Sequence, residues 1–226
     1  MNTQAKRKAQ IEEKLRSHHI DEIFFPAAAL YAEKNYAPVL PSAAGQRLLT
    51  LLSISFAAYN FDDAEKVMDW LKTGEIWKSV SEKEKTFLRD PAPSEKEKQE
   101  LSWRFEGAYL LAWCLQQVPE LPLPSGELDE TKVKSFFQTI PAVGKPMDEF
   151  LQNLKYRPLS AIIDEKLFYE SCILCFNHQR AADLENSTSV HPRAALERYP
   201  VLAYVLMGNK ISWDELTEVD DDEINN

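Results

Sequence analysis

The residues whose types could do chemistry are Arg47, Trp103, Arg104, Glu106, Arg157 and Arg198. An arginine fork donates in a plane that matches a carboxylate or a small anion, and a tryptophan face can carry a cation. Two readings follow. The group is an ion network that fixes helix packing, or it is an anion- or carboxylate-binding pocket. Arg104 and Glu106 sharpen the choice. They stand two apart, so on a helix they cannot face each other. If that helix is buried, each charge needs a partner from elsewhere in the chain, because an unpaired buried charge is costly. The pattern predicts a buried or half-buried network that includes both. Glu106 falls on one face with Trp103, Leu110 and Trp113, which makes solvent exposure unexpected for it.

A second constellation is Cys172-x-x-Cys175 followed by His178, with Cys114 as a further soft group. On a helix these positions share part of one face, so they could hold a metal. Structural zinc cysteines usually sit on turns, however, and Ile173, Leu174 and Phe176 surround these. The favoured reading is small, buried, apolar side chains. There is no glycine-rich phosphate loop, no nucleophile elbow, no His-Glu-x-x-His and no Glu-x-x-His pair. No catalytic residue and no cofactor is expected.

These side chains need elements to position them. The stretch Ser102-Trp103-Arg104-Phe105-Glu106-Gly107-Ala108-Tyr109-Leu110-Leu111-Ala112-Trp113-Cys114-Leu115 is apolar on every side after Phe105. A helix of that kind must be covered all round. It reads as the buried core of one central helix over about residues 95–118, opened by a capping box at Ser94-Glu95-Lys96-Glu97. Around it, Ala43 to Tyr59 reads as a strongly buried helix carrying Arg47. Asp62 and Gly74 bound the next helix, and Ser81-Glu82-Lys83-Glu84 caps a short one reaching Arg89. Asp129 opens a helix with Val133, Phe136 and Phe137. Pro158 starts a long helix to about Leu184, and Pro192 starts another that Pro200 should kink or divide. No alternating strand pattern and no internal repeat is present.

The fold class expected is all-α: a multi-helix, bundle-like domain around that buried central helix. Residues 1–40 form an N-terminal helix, expected to be loosely attached, with an apolar connector at Ile20, Ile23, Phe24 and Phe25. Residues 41–217 form a single helical domain. Residues 218–226 form an acidic, disordered tail. At 226 residues the chain can bury a core without staples. Its formal charge of −10 argues against nucleic acid and against an anionic membrane surface. The three cysteines suggest reduced thiols and a cytoplasmic setting. No signal peptide is read at the N-terminus.

Several stretches together resemble a known family. They are Gln46-Arg47-Leu48-Leu49-Thr50-Leu51-Leu52; Trp70-Leu71 with Ile76-Trp77 and Ser81-Glu82-Lys83-Glu84; Ser102-Trp103-Arg104-Phe105-Glu106 continuing to Leu121-Pro122-Leu123-Pro124; and Glu197-Arg198-Tyr199 with Trp213-Asp214-Glu215-Leu216-Thr217. Over roughly residues 43–217 they resemble the bacterial domain-of-unknown-function family catalogued under number 4272. Trp-Arg-x-Glu with the proline-rich exit is the most specific piece. The chain departs from that pattern at Glu170, where an arginine is expected after the tyrosine, and at Tyr204, where a tryptophan is common. The resemblance implies a bacterial, cytoplasmic helical protein and no stated activity. With the motif search empty, the expected function is a non-enzymatic protein-binding or accessory module, of immunity type for example. A small-anion-binding domain or enzyme using the Arg/Glu/Trp cluster is the alternative. A protein partner is expected, and homo-oligomerisation is left open.

Overall fold

The computed structural model describes residues 3–30, 36–125, 130–208 and 212–217. Among these, every regular element is helical. The Asp129 cap, Ile211 and the 218–226 tail lie outside the described residues.

Local chemistry sets most helix boundaries. Helix α1 spans Thr3–Ser17. Helix α2 (Pro41–Tyr59) opens on a proline, whose fixed φ and missing N–H suit a first turn. A short 3-10 turn over Phe61–Asp63 then leads into α3 (Ala64–Thr73), so Asp63 rather than Asp62 stands at its N-cap; Gly74 follows its end. Helix α4 (Glu82–Arg89) carries the full capping box. Ser81 Oγ accepts from Glu84 N at 3.3 Å and Ser81 N donates to Glu84 Oε2 at 2.9 Å. Helix α5 (Glu95–Ser102) is capped by Ser94, whose hydroxyl accepts from Glu97 N at 3.1 Å; the return bond seen in α4 is not made.

The expected single helix over residues 95–118 is two helices. Helix α6 is Arg104–Cys114, and Trp103 separates it from α5. Trp103 N donates to Glu100 O and Glu106 N donates to Trp103 O, both to the third residue back. That tighter winding interrupts the α ladder without ending the rod. Helices α7 (Glu130–Thr139), α8 (Asp148–Gln152), α9 (Leu159–Ala181), α10 (Pro192–Met207) and α11 (Trp213–Leu216) follow. Pro200 does not divide α10. Val201, Leu202, Val205 and Leu206 beyond it are all buried, and that burial outweighs one lost backbone bond of about 3 kcal/mol.

The packing order runs α1, α9, α10, α6, α2, with α3, α4 and α8 against α2. Residues Glu106–Cys114 of α6 are all buried, so α6 is the core rod. Gly107 sits where it crosses its neighbours. A Cβ there would lie 3.1 Å from Val201 Cγ2, 3.2 Å from Leu51 Cδ1 and 3.3 Å from Glu197 O. The N-terminal helix is docked, which corrects the loose attachment expected from its few apolar residues. Ile11 and Leu15 are buried. Arg7 binds Asp164 at 2.8 Å and Lys14 binds Glu165 at 2.6 Å, with Lys14 Nζ 4.1 Å from the Phe168 ring centre. Charge and the stem of Lys14 supply contact that a count of apolar residues overlooks. Residues 37–39 then pair with the end of α10, Ala37 N on Leu206 O and Val39 N on Val205 O. No helix among the described residues is long and apolar enough to cross a membrane.

The crossing at Gly107 gives a direct test. Gly107→Val should lower the unfolding free energy by about 1–3 kcal/mol through overpacking. A urea melt indistinguishable from wild type would show that α6 does not approach α2 and α10 this closely.

Candidate functional site

Arg198 is a charged group of the interior with no exposed surface. Its guanidinium joins several elements. Nε donates to Glu106 Oε2 on α6 at 2.9 Å, and Nη1 donates to Pro122 O at 2.7 Å and to Tyr169 Oη on α9 at 2.7 Å. Burial pushes the Tyr169 hydroxyl well above its ordinary range, despite Arg198, so it stays protonated. Burial also raises the Glu106 pKa; Arg198 opposes this, and the nearby Glu197 carboxylate adds to it. Burial therefore outweighs the attraction of the partner arginine, as a low-dielectric site dictates.

Glu197, next to Arg198 on α10, is half of a second clasp. Its Oε2 accepts from Arg104 Nη1 at 2.7 Å and its Oε1 from Arg193 Nη2 at 3.0 Å. Arg104 and Glu106 therefore leave α6 towards different partners, both on α10. Arg47 lies elsewhere, between α2 and α4. It forks onto both oxygens of the buried Glu84, donates to Ser79 O at 2.7 Å and lies 3.8 Å from the Trp213 ring centre. Arg157 joins neither group. Its Nε donates to Trp113 O at 2.6 Å, and its guanidinium lies 3.8 Å from the Trp113 ring centre. Trp103 stacks on His191 at 4.9 Å. The predicted residues thus fall into separate places; Glu106 is bonded to Arg198 through its side chain and to Trp103 O through its backbone N–H.

Sequence reasoning missed Glu84, Tyr169, Arg193 and Glu197. The Arg193–Glu197 spacing of four was a readable signal. Glu84 was read only as a cap; it holds the cap with the same carboxylate that takes Arg47. Tyr169 carried no local signal, since its partner is twenty-nine positions away.

Two concave surfaces flank α6. A polar cleft of about 480 Å³ opens between the start of α4, α5, α10 and α11. Arg104 and Arg193 reach it, already bound to Glu197. Asp214 Oδ2 accepts from Glu82 N at 3.1 Å and Lys83 N at 3.3 Å, so a carboxylate of the chain itself fills the anion position at the N-terminus of α4. On the other side, a mostly apolar groove of about 250 Å³ lies between the end of α2, the start of α6 and α7. Phe56, Tyr59, Trp103, Phe105 and Phe137 line it, with Glu106 in its wall. Tyr59 is 69% and Phe137 42% exposed.

Cys114, Cys172 and Cys175 are buried free thiols, and burial raises the pKa of each. His178 packs its ring on Phe24 at 5.4 Å. Among the described residues no group of His, Cys, Asp or Glu is arranged to hold a metal.

Glu106→Ala leaves Arg198 buried without its carboxylate and should cost about 3–5 kcal/mol in denaturant melts. Ser94→Ala, which removes an exposed cap, should cost only about 0.5–2 kcal/mol. Equal costs would show that the Glu106 pair carries no special weight.

No curated protein and no solved structure matches the chain. The family model described as Domain of unknown function (DUF4272) matches residues 7–216. That span covers the stretches of resemblance up to Leu216 and extends into α1. The chain belongs to this family, DUF4272.

Proposed function

We propose that this is a non-enzymatic protein-binding module of the bacterial cytoplasm, and that the groove between α2, α6 and α7 is its contact surface. One observation carries the reading: large apolar rings stay exposed around a concave, aromatic-lined surface. Tyr59 and Phe137 keep 69% and 42% of their surface open at the groove rim, while most comparable rings elsewhere are packed away. Contiguous exposed aromatics around a hollow mark interaction sites, and Trp, Tyr and Phe dominate binding energy at such sites. The acidic balance of the chain favours a partner that presents positive charge.

A small-anion site is less favoured. Arg47, Arg104 and Arg198 each reach for a carboxylate already in place, and Arg157 is engaged by backbone carbonyls. A paired arginine offers an incoming anion little net attraction.

The test places a photo-crosslinking amino acid at position 59 or 137 of the full chain in its native cytosol, with position 174, exposed on α9, as control. The expected result is a discrete adduct from 59 and 137 that is absent from 174. Phe137→Asp should abolish the adduct at 59, and Leu184→Asp should not. Adducts equal at all three positions, or none at 59 and 137, would contradict the reading.

A further inference from the structure

We propose that the groove selects a protonated primary amine on an apolar stem, such as a lysine side chain of the partner, through the free carboxylate oxygen of Glu106. This rests on the reading of the groove as the partner-binding surface. Glu106 Oε2 takes the bond from Arg198, and no described residue donates to Oε1. The side chain is 5% exposed, it lies in the groove wall, and Oε1 is not fully enclosed. The unsatisfied oxygen therefore opens into the groove. Little solvent reaches this acceptor, and a ligand that brings a charged donor gains from it.

The surroundings choose among donors. The rings of Trp103, Phe105, Tyr59 and Phe137 stand around the hollow, and aromatic faces attract cations. A neutral hydroxyl would satisfy Oε1 but gain little from the rings. An anion would meet Glu106, with the Glu197 carboxylate near enough to act on it. Arg198 opposes a cation, but its guanidinium is shared among Pro122 O, Tyr169 Oη and Glu106 Oε2, and Arg198 itself does not line the groove. Size supports a single side chain. About 250 Å³ falls below the roughly 300–1,000 Å³ of drug-sized pockets. A lysine places its methylenes along apolar walls and its ammonium at a polar end.

The experiment compares n-hexylamine, 1-hexanol and hexanoate, which share a stem and differ in head group. Each is titrated into the full chain while amide NMR shifts of groove residues are followed. Hexylamine should bind about tenfold tighter than hexanol, since a charge-assisted bond is roughly twice as strong as a neutral one. Hexanoate should bind weakest. Glu106→Gln should bring hexylamine to the affinity of hexanol. If that variant does not fold, Phe137→Ala at the half-exposed rim replaces it and should weaken hexylamine more than hexanol. Hexanol binding as tightly as hexylamine would overturn the amine selection and leave the apolar groove standing. Shifts from none of the compounds would overturn both.

Discussion

A charge placed in the middle of a helical core must bring its own compensation, and Glu106 with Arg198 does so. The pair sits where α6 meets α10, and Arg198 continues to Tyr169 on α9 and to the proline-rich segment after α6. Replacing such a pair by apolar residues of equal shape is often neutral or stabilising, so it is weak evidence for net stability. Its consequence is register. A turn of α6 about its axis would carry Glu106 away from Arg198 and leave two charges unpaired in a low dielectric. Gly107, the next residue, lets the helices close to a distance at which the pair can form. The same rotation turns Arg104 to Glu197 and sends Trp113 to meet Arg157.

Because internal carboxylates occupy the arginines, their abundance says little about ligands. Arg47 is the clearest case. Glu84 closes the cap of α4, receives both arms of Arg47 and so ties α2 to α4, while Trp213 covers the guanidinium from α11. Asp214 of that same short helix caps α4 from outside. On the opposite flank, the break at Trp103 and the end of α2 leave rings that the core does not cover. The groove and the buried pair share one residue, Glu106, whose Oε2 is committed to Arg198 and whose Oε1 takes no bond from the described residues.

Much of the fold was legible because it is local. Ser81 and Glu84 announce a helix start by spacing, Pro192 by φ, and the apolar run from Gly107 to Cys114 announces a rod covered on all sides, whereas Pro41 opens α2 two residues before the start at Ala43 that the apolar pattern suggests. The burial of Glu106 followed from its neighbours on the helix. The break at Trp103 was not legible, since bonding to the third rather than the fourth residue back changes no apolar spacing. Pro200 does not divide α10, because the buried turn beyond it outweighs one lost bond. Arg157 misled because arginine suggests carboxylate, whereas here backbone carbonyls and a ring face satisfy it. Tyr169 and Glu197 became partners only through tertiary contact.

The central claim is that Glu106 and Arg198 act as one buried unit that sets the docking of α6. A double-mutant cycle on Glu106→Ala and Arg198→Ala measures this most directly. The account predicts that the double variant is barely less stable than either single variant, with a coupling energy of about 3–5 kcal/mol, equal to the cost of one substitution, because the first substitution already removes the unit. Additive losses, with coupling below about 0.5 kcal/mol, would mean that the two residues act independently and would contradict the account.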